Sequence, residues 1–173
     1  MKDAQAVKNE ISILKENPFK EKVVVISAMG KTTNDLEKVI NEYYAHNTEW
    51  KNSIETVYTK HLAIISELFE NQPNTCDVAV RKIIDKTIDF LSQNHSRNYN
   101  FIYDQVVSIG EYISTTIVSE FANHQSVSNT LVDAKHCIFT DNAYTEGKID
   151  WKKTEKAIST VVPPLFETGF VIT

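Results

Sequence analysis

The fold is indicated most directly by the stretch Lys22-Val-Val-Val-Ile-Ser-Ala28, which continues as Met-Gly-Lys-Thr-Thr33. Four consecutive β-branched residues, with charges before them and Gly30 after them, predict a short strand that is buried on both faces. Buried strands of this kind belong to parallel sheets covered by helices. The residues after Thr33 have helical spacing, so the strand is expected to lead through a tight turn into a helix.

The rest of the chain alternates helix and strand patterns around that strand. A helix capped by Asp3 is predicted over 3–16, another over 151–162, and four more in a helical excursion over 33–122, the last of them over about 101–121. Strands are predicted over 127–132, 137–140 and 169–173. This order predicts an α/β fold with a parallel or mixed sheet, in one domain over 1–173.

Composition excludes several classes of protein. The 173 residues carry a net charge of -5 and only two arginines, Arg81 and Arg97, so no nucleic-acid partner is expected. A polar start and the lack of a long apolar run predict no membrane partner and a cytoplasmic location. Cys76 and Cys137 have no CxxC partner and are expected to be reduced thiols. The four glycines are isolated, whereas loops that wrap phosphates need several close together.

The Gly30-Lys31-Thr32 turn has three interpretations. A phosphate-binding P-loop would need a glycine where the chain has Val25, which counts against it. A purely structural turn would use Gly30 for its backbone freedom, with Thr32, Thr33 or Asn34 capping the next helix. A third interpretation places a small anion such as a carboxylate at this helix N-terminus, after the carboxyl end of a parallel strand.

A second candidate is the carboxylate in Ser108-Ile-Gly-Glu111, which lies in an apolar helical stretch. Glu111 either faces solvent or, if buried, needs a cationic partner such as the ammonium of a zwitterionic ligand. The histidines have no metal-binding spacing, so no metal site is predicted, and His61 falls on an apolar helical face typical of a core or boundary histidine.

Two segments together resemble the aspartate kinases. Val23-Val-Val-Ile-Ser-Ala-Met-Gly-Lys-Thr-Thr-Asn-Asp-Leu36 is similar to their "VVVxSAMxxxTxxL" segment, and Asp104-Gln-Val-Val-Ser-Ile-Gly-Glu-Tyr-Ile-Ser114 to their "DxxxSxGExxS" segment. The helical excursion between them fits, as do Thr140-Asp141 and Gly169-Phe-Val-Ile-Thr173, which resembles the strand before the family's "GFIG" turn. The resemblance covers essentially the whole chain.

The resemblance implies a three-layer sandwich with a mainly parallel sheet, the amino-acid-kinase fold. It also implies transfer of the ATP γ-phosphoryl group to the β-carboxylate of L-aspartate, the first step toward lysine, threonine and methionine. Carried over by position, Ser27 and Thr33 would lie in the aspartate pocket and Glu111 would hold the α-ammonium group. ATP and Mg²⁺ would serve the parent enzyme.

The family's opening "KFGG" strand, its "TTLGRGGSD" segment, its ATP-binding lobe and its ACT domains have no counterpart in these residues. The expectation is therefore a substrate-binding half, with no catalytic residue of its own, inactive and without tight ATP or Mg²⁺ binding when alone. Its partners would be L-aspartate, the remainder of the kinase polypeptide and a second copy in a homo-oligomer. The alternative is a non-catalytic binding or oligomerisation module that uses exposed sheet edges.

Overall fold

The computed structural model describes residues 1–19 and 21–173, and its first element is the predicted amphipathic helix. Helix α1 spans Ala4–Glu16 and buries one apolar face, which consists of Ala4, Val7, Ile11 and Leu14. The Asp3 side chain accepts a hydrogen bond from the Ala6 amide at 2.9 Å. The prediction that Asp3 caps this helix is confirmed.

Strand β1 is much shorter than the predicted 22–28 strand and comprises only Val23–Val24. It pairs in parallel with β3 alone, at the edge of the three-stranded sheet. Because no described strand covers its other side, Val23 is 50% and Val25 77% exposed, so the expectation of burial on both faces is wrong. After Val24 the chain leaves the sheet, although the Ile26 amide still donates to the Thr173 carbonyl at 2.9 Å.

The helical excursion contains five helices rather than four. They are α2 (Thr32–Tyr44), α3 (Trp50–Leu68), α4 (Thr75–Gln93), α5 (Tyr99–Val107) and α6 (Ile109–His124). The predicted helix over 101–121 is interrupted at Ser108, two residues before Gly110. Glycine is a weak helix former, and at this point the chain packs closely on another segment, as described below.

The remaining elements return the chain to the sheet. Strand β2 spans Asn129–Leu131, helix α7 spans Trp151–Val161 and strand β3 spans Phe170–Ile172. Short 3₁₀ turns lie at Ala134–His136 and Pro163–Glu167. The strand order is β1-β3-β2 with parallel pairing throughout, so the central β3 is buried along its whole length. The α/β class and the parallel sheet are confirmed.

No strand forms at 137–140, where one was predicted. The Asp133 carboxylate caps the 3₁₀ turn by accepting from the Lys135 amide at 2.9 Å, and the Cys137 and Ile138 amides both donate to Ala134. These local bonds use the groups that a sheet ladder would need. Thr140 makes only an isolated antiparallel bridge with Ile149.

The helices and the sheet share one apolar core. Helix α2 packs on α3 and α5, and α4 packs on α3 and α6, so α6 lies between the other helices and the sheet. Ile113, Ile117 and Val118 of α6 are fully buried. Cys76 and Cys137 are free and buried, and burial raises the pKa of the Cys76 thiol to about 12, which keeps it protonated at neutral pH. Within the described residues, no helix is both long and apolar enough to cross a membrane.

Candidate functional site

The site begins with the loop between β1 and α2, residues 25–31, called here the 25–31 loop. Gly30 has a φ of +57°, a left-handed conformation that favours glycine, and its amide donates to the Met1 carbonyl at 2.8 Å. The Thr32 amide donates to Met29 at 3.0 Å and closes the turn. Lys31 precedes α2 without a side-chain cap, so the prediction of a cap at Thr32, Thr33 or Asn34 is wrong.

Helix α6 fastens this loop with two side chains. The Met29 amide donates to Ser114 Oγ at 3.0 Å, and Ser114 in turn donates to the Gly110 carbonyl at 2.8 Å. The Ala28 amide points to Glu111 Oε1 at 3.4 Å. Two segments more than eighty residues apart in sequence are thereby joined through buried or half-buried polar contacts.

Gly110 permits the close approach that makes these contacts possible. A Cβ atom at this position would lie 3.0 Å from the Ala28 Cβ and 3.3 Å from the Thr32 Cγ2. Any larger residue would push α6 away from the 25–31 loop, because both neighbours are short side chains with no freedom to move aside. The glycine therefore serves packing rather than backbone flexibility.

Glu111 is half-buried and lines a cavity of about 430 Å³ at the carboxyl ends of β2 and β3. Its neighbours there are Ser108, Tyr112, Thr115, Leu131, Val132, Asp133, Ala134, Lys135 and Thr173. Lys135 is the one cationic side chain in this lining, and its Nζ lies 4.8 Å from the centre of the Tyr112 ring. The cavity therefore has two carboxylates, one ammonium group and an apolar wall within a volume suited to a small molecule.

Tyr112 connects Glu111's helix to the turn after β2. Its hydroxyl donates to Asp133 Oδ1 at 3.0 Å, while Lys135 lies over its ring. Burial raises the pKa of Tyr112, so the phenol stays protonated and remains a donor at neutral pH. This contact holds the wall of the cavity at a fixed distance from α6.

The other two candidate residues lie on either side of these contacts. Ser27 is exposed and lines a separate cavity of about 390 Å³, next to α1, with Asn9, Glu10 and Val25 among its neighbours. Thr33 is half-buried in the first turn of α2 and lines neither cavity. The structure thus links Glu111 to the 25–31 loop through Ala28 but does not bring Ser27, Thr33 and Glu111 into one cavity.

Several residues of this site were assigned no role from the sequence. Ser114 lies within the second motif, one helical turn after Gly110, yet only the fold shows that its hydroxyl accepts from the 25–31 loop. Asp133 and Lys135 fall between the strands predicted over 127–132 and 137–140, in a segment to which the sequence assigned no role. His61 is 2% exposed, which confirms it as a core histidine. Across residues 1–19 and 21–173, no three His, Cys, Asp or Glu side chains form a metal-binding group.

Comparison with solved structures identifies the fold. E. coli aspartokinase III, solved with aspartate and ADP, superposes on 99% of this chain with a TM-score of 0.82 and 19% sequence identity. The chain has the fold of an aspartokinase segment. The same enzyme solved with lysine and aspartate gives the same values. The chain spans 37% of the length of these neighbours. No protein-family model and no curated protein matches it.

Proposed function

We propose that this chain is the aspartate-binding segment of an aspartate kinase, which transfers the ATP γ-phosphoryl group to the β-carboxylate of L-aspartate. The proposal includes the amino-acid-kinase architecture, a three-layer sandwich, in which residues 1–173 form the substrate-binding half of a larger domain. It also places the parent enzyme in the cytoplasm, at the first step toward lysine, threonine and methionine.

One observation carries the proposal, namely the contact between the two motifs. The "SAM" loop motif and the "SxGE" helix motif resemble the same family, and the Ala28 amide and Glu111 Oε1 approach to 3.4 Å. A half-buried carboxylate beside a helix N-terminus offers opposite charges to the two ends of an amino acid. Such a pair of groups suits a zwitterionic ligand better than a simple anion.

In this proposal each residue has a binding role. The Glu111 carboxylate accepts hydrogen bonds from the substrate ammonium group. Ser27 and Thr33, which do not line the Glu111 cavity in these 173 residues, bind a substrate carboxylate from the loop and from the first turn of α2. Thr33 is well placed for an anion, because the first amides of a helix have no partner within the helix. Phosphoryl transfer depends mainly on positioning and charge neutralisation, so residues that only bind can still raise the rate.

The described residues do not fit a nucleotide or Mg²⁺ at the Gly30-Lys31-Thr32 turn. The Thr32 hydroxyl, which a P-loop would direct at the metal, is buried and donates to the Met29 carbonyl at 2.6 Å. We therefore assign ATP and Mg²⁺ to polypeptide outside these 173 residues, which would be a partner of this segment. We expect no aspartyl phosphate from the 173 residues alone, and turnover from a longer chain with a "KFGG" strand and the nucleotide-binding lobe.

The decisive experiment measures binding of L-aspartate to the 173-residue chain by calorimetry. Replacement Glu111→Gln keeps the shape of the side chain and removes its charge. We expect affinity for L-aspartate to fall by about tenfold to a hundredfold, since a hydrogen bond to a charged group contributes roughly 1.5–3 kcal/mol. Succinate, which lacks the ammonium group, should bind equally weakly to both proteins.

Glu146→Gln is the matched control, because Glu146 is an exposed glutamate in the loop before α7. It should leave aspartate affinity unchanged. Equal affinity of the original chain and its Glu111→Gln variant for L-aspartate would refute the role of Glu111. No measurable binding of L-aspartate to the original chain would refute the proposed function.

A non-catalytic association module is the second candidate, and the exposed edge of the sheet favours it. Val23 and Val25 are 50% and 77% exposed beside a strand that pairs on one side only. Such an edge invites pairing with another chain, including kinase subunits or a second copy. Association without any aspartate binding would favour this candidate over the first.

A further inference from the structure

The imidazole of His61 lies inside the protein beside the start of α2. It comes from α3 and is 2% exposed, and its partner Thr32 is 5% exposed. The His61 Nδ1 lies 2.8 Å from the Val57 carbonyl oxygen, and its Nε2 lies 3.2 Å from Thr32 Oγ1. Thr32 Oγ1 lies 2.6 Å from the Met29 carbonyl oxygen. Three consecutive polar contacts, through His61 and Thr32, therefore connect α3 to the 25–31 loop.

These three contacts depend on the protonation state of the His61 ring. A carbonyl only accepts, so Nδ1 must carry the proton that is donated to Val57. In the neutral ring Nε2 is then an acceptor, and it competes with the Met29 carbonyl for the one proton of the Thr32 hydroxyl. In the charged ring Nε2 also donates, so the hydroxyl accepts from His61 and gives its own proton to Met29. Only the charged ring satisfies all three contacts.

The contacts end on the Met29 carbonyl, which belongs to the turn next to the residues assigned to the substrate. Met29 belongs to the turn that carries Gly30. It lies between Ser27 of the loop and Thr33 of α2, the two residues assigned to a substrate carboxylate. Helix α6 fastens the loop through its Ala28 and Met29 amides. His61 of α3 acts on the same turn through the Thr32 hydroxyl, which contacts the Met29 carbonyl.

We propose that His61 is a positioning residue for the 25–31 loop, acting through the Thr32 hydroxyl, and that gain of a proton by the ring tightens the turn at Met29. The link itself does not require the proposed function. Its consequence for aspartate binding rests on that function, because the turn orients the residues that would contact the substrate.

The charges near the ring oppose one another. Burial lowers the pKa of His61, and the hydrogen bond to Val57 acts in the opposite direction. Asp35 of α2 favours the charged ring and Lys60 of α3 opposes it, and these two side chains form an ion pair at 2.5 Å. In the described part of the chain, α1, α4 and α6 also pack on α3 but add no further charged group that acts on the ring. The ring is thus neutral at neutral pH and gains its proton only below the ordinary pKa of histidine.

Nuclear magnetic resonance of the ¹⁵N-labelled chain tests the link without any ligand. The ring nitrogen shifts should identify the Nδ1–H form at neutral pH. The chemical shifts of the Met29, Gly30 and Thr32 amides should then change with the same pH midpoint as those of the His61 ring. Two results would overturn the proposal: a ring that carries its proton on Nε2 at neutral pH, or loop amides whose chemical shifts do not change as the His61 ring titrates.

Two substitutions at Thr32 separate the hydrogen bond from packing. Thr32→Val keeps the methyl group beside Gly110 and removes the hydroxyl, so the ring should still titrate while the loop amides no longer follow it. Thr32→Ser restores the hydroxyl and should restore the response. His95→Gln is the control, because His95 is exposed and should leave the response unchanged. A response retained in Thr32→Val would contradict the link, and if that variant fails to fold, the tautomer measurement on the original chain still decides.

Aspartate affinity supplies the functional readout. Thr32→Val should weaken L-aspartate binding by about threefold to tenfold, the usual effect of one hydrogen bond, and Thr32→Ser should recover it. If the original chain binds no aspartate, the proposed function fails while the resonance experiment still judges the link. If aspartate binds all three proteins equally, the positioning role fails and the proposed function stands.

Discussion

Gly110 shows how much one residue decides in this protein. Because Gly110 has no side chain, α6 can approach the 25–31 loop closely. Ala28 and Thr32 then lie so near Gly110 that they leave no room for a Cβ atom there. Only at that separation can Ser114 and Glu111 reach the loop amides. The glycine next to the glutamate is therefore a packing requirement for the contact between the two motifs.

Replacement of Gly110 tests this view. Gly110→Ala should lower the free energy of unfolding by about 1–3 kcal/mol, because the new Cβ would lie 3.0 Å from the Ala28 Cβ and force a shift of α6 or the loop. Urea denaturation followed by circular dichroism measures the change. Ser92→Ala, at an exposed position of α4, serves as the control and should stay within about 0.5 kcal/mol of the original chain. An equal effect of both substitutions would contradict the packing argument.

The buried His61 predicts a pH dependence of stability. Its folded-state pKa is lowered by burial, so between that value and the unfolded value near 6.5 the unfolded chain binds more protons than the folded chain. Stability should therefore fall as the pH decreases from about 6.5 through the folded-state pKa. His61→Phe should remove this part of the pH dependence, whatever its effect on absolute stability. Denaturant titrations at a series of pH values measure the difference, and identical pH slopes for the two proteins would contradict it.

At the scale of the elements, the helices differ in whether a side chain accepts a hydrogen bond from the backbone amides of their first turn. Asp3, Asn74, Asn98 and Asp150 each accept a hydrogen bond from an amide in the first turn that follows. Helix α2 has no side-chain cap at Lys31, and it is the helix whose first turn carries Thr33. Helices α3 and α6 likewise begin without a side-chain cap. The helix start assigned to the substrate is thus one at which a ligand can supply a missing acceptor.

The cap of α1 supplies a prediction at this scale. Asp3→Ala should reduce the free energy of unfolding by about 1 kcal/mol, because the Ala6 amide loses its acceptor. Asp3→Asn should retain most of the stability, since asparagine caps helices about as well. Thermal melts of the three proteins provide the measurement. Equal losses in both variants would show that the charge of Asp3, rather than its capping bond, stabilises the helix.

At the scale of the whole molecule, the free edge beside β1 is the most unusual surface. Val23 of β1 and Val25 of the 25–31 loop are exposed, and in the described residues the sheet ends there. Natural proteins seldom leave an apolar strand edge uncovered. A covering strand from another segment of polypeptide or from a second copy would bury these valines.

Association of the isolated chain should depend on this edge. Val25→Lys should shift the protein toward monomer in size-exclusion chromatography with light scattering, because a charge at the edge opposes strand pairing. Its effect on stability should stay within about 0.5 kcal/mol, since Val25 is 77% exposed. Val78→Lys is the matched control, as Val78 is 69% exposed on α4. A monomeric original chain, or equal shifts in both variants, would contradict this prediction.

The sequence by itself determined the helices, the α/β class and the two motifs, because helical spacing, β-branched runs and capping residues act over a few neighbouring positions. It did not determine the short β1, the missing strand at 137–140 or the break at Ser108. These depend on which backbone groups find partners elsewhere: an edge without a neighbour, amides taken by Ala134, and a helix that packs closely at Gly110. Only the tertiary structure brought Glu111 to Ala28 and His61 to Thr32, since contacts between residues so distant along the chain follow from packing and leave no local pattern.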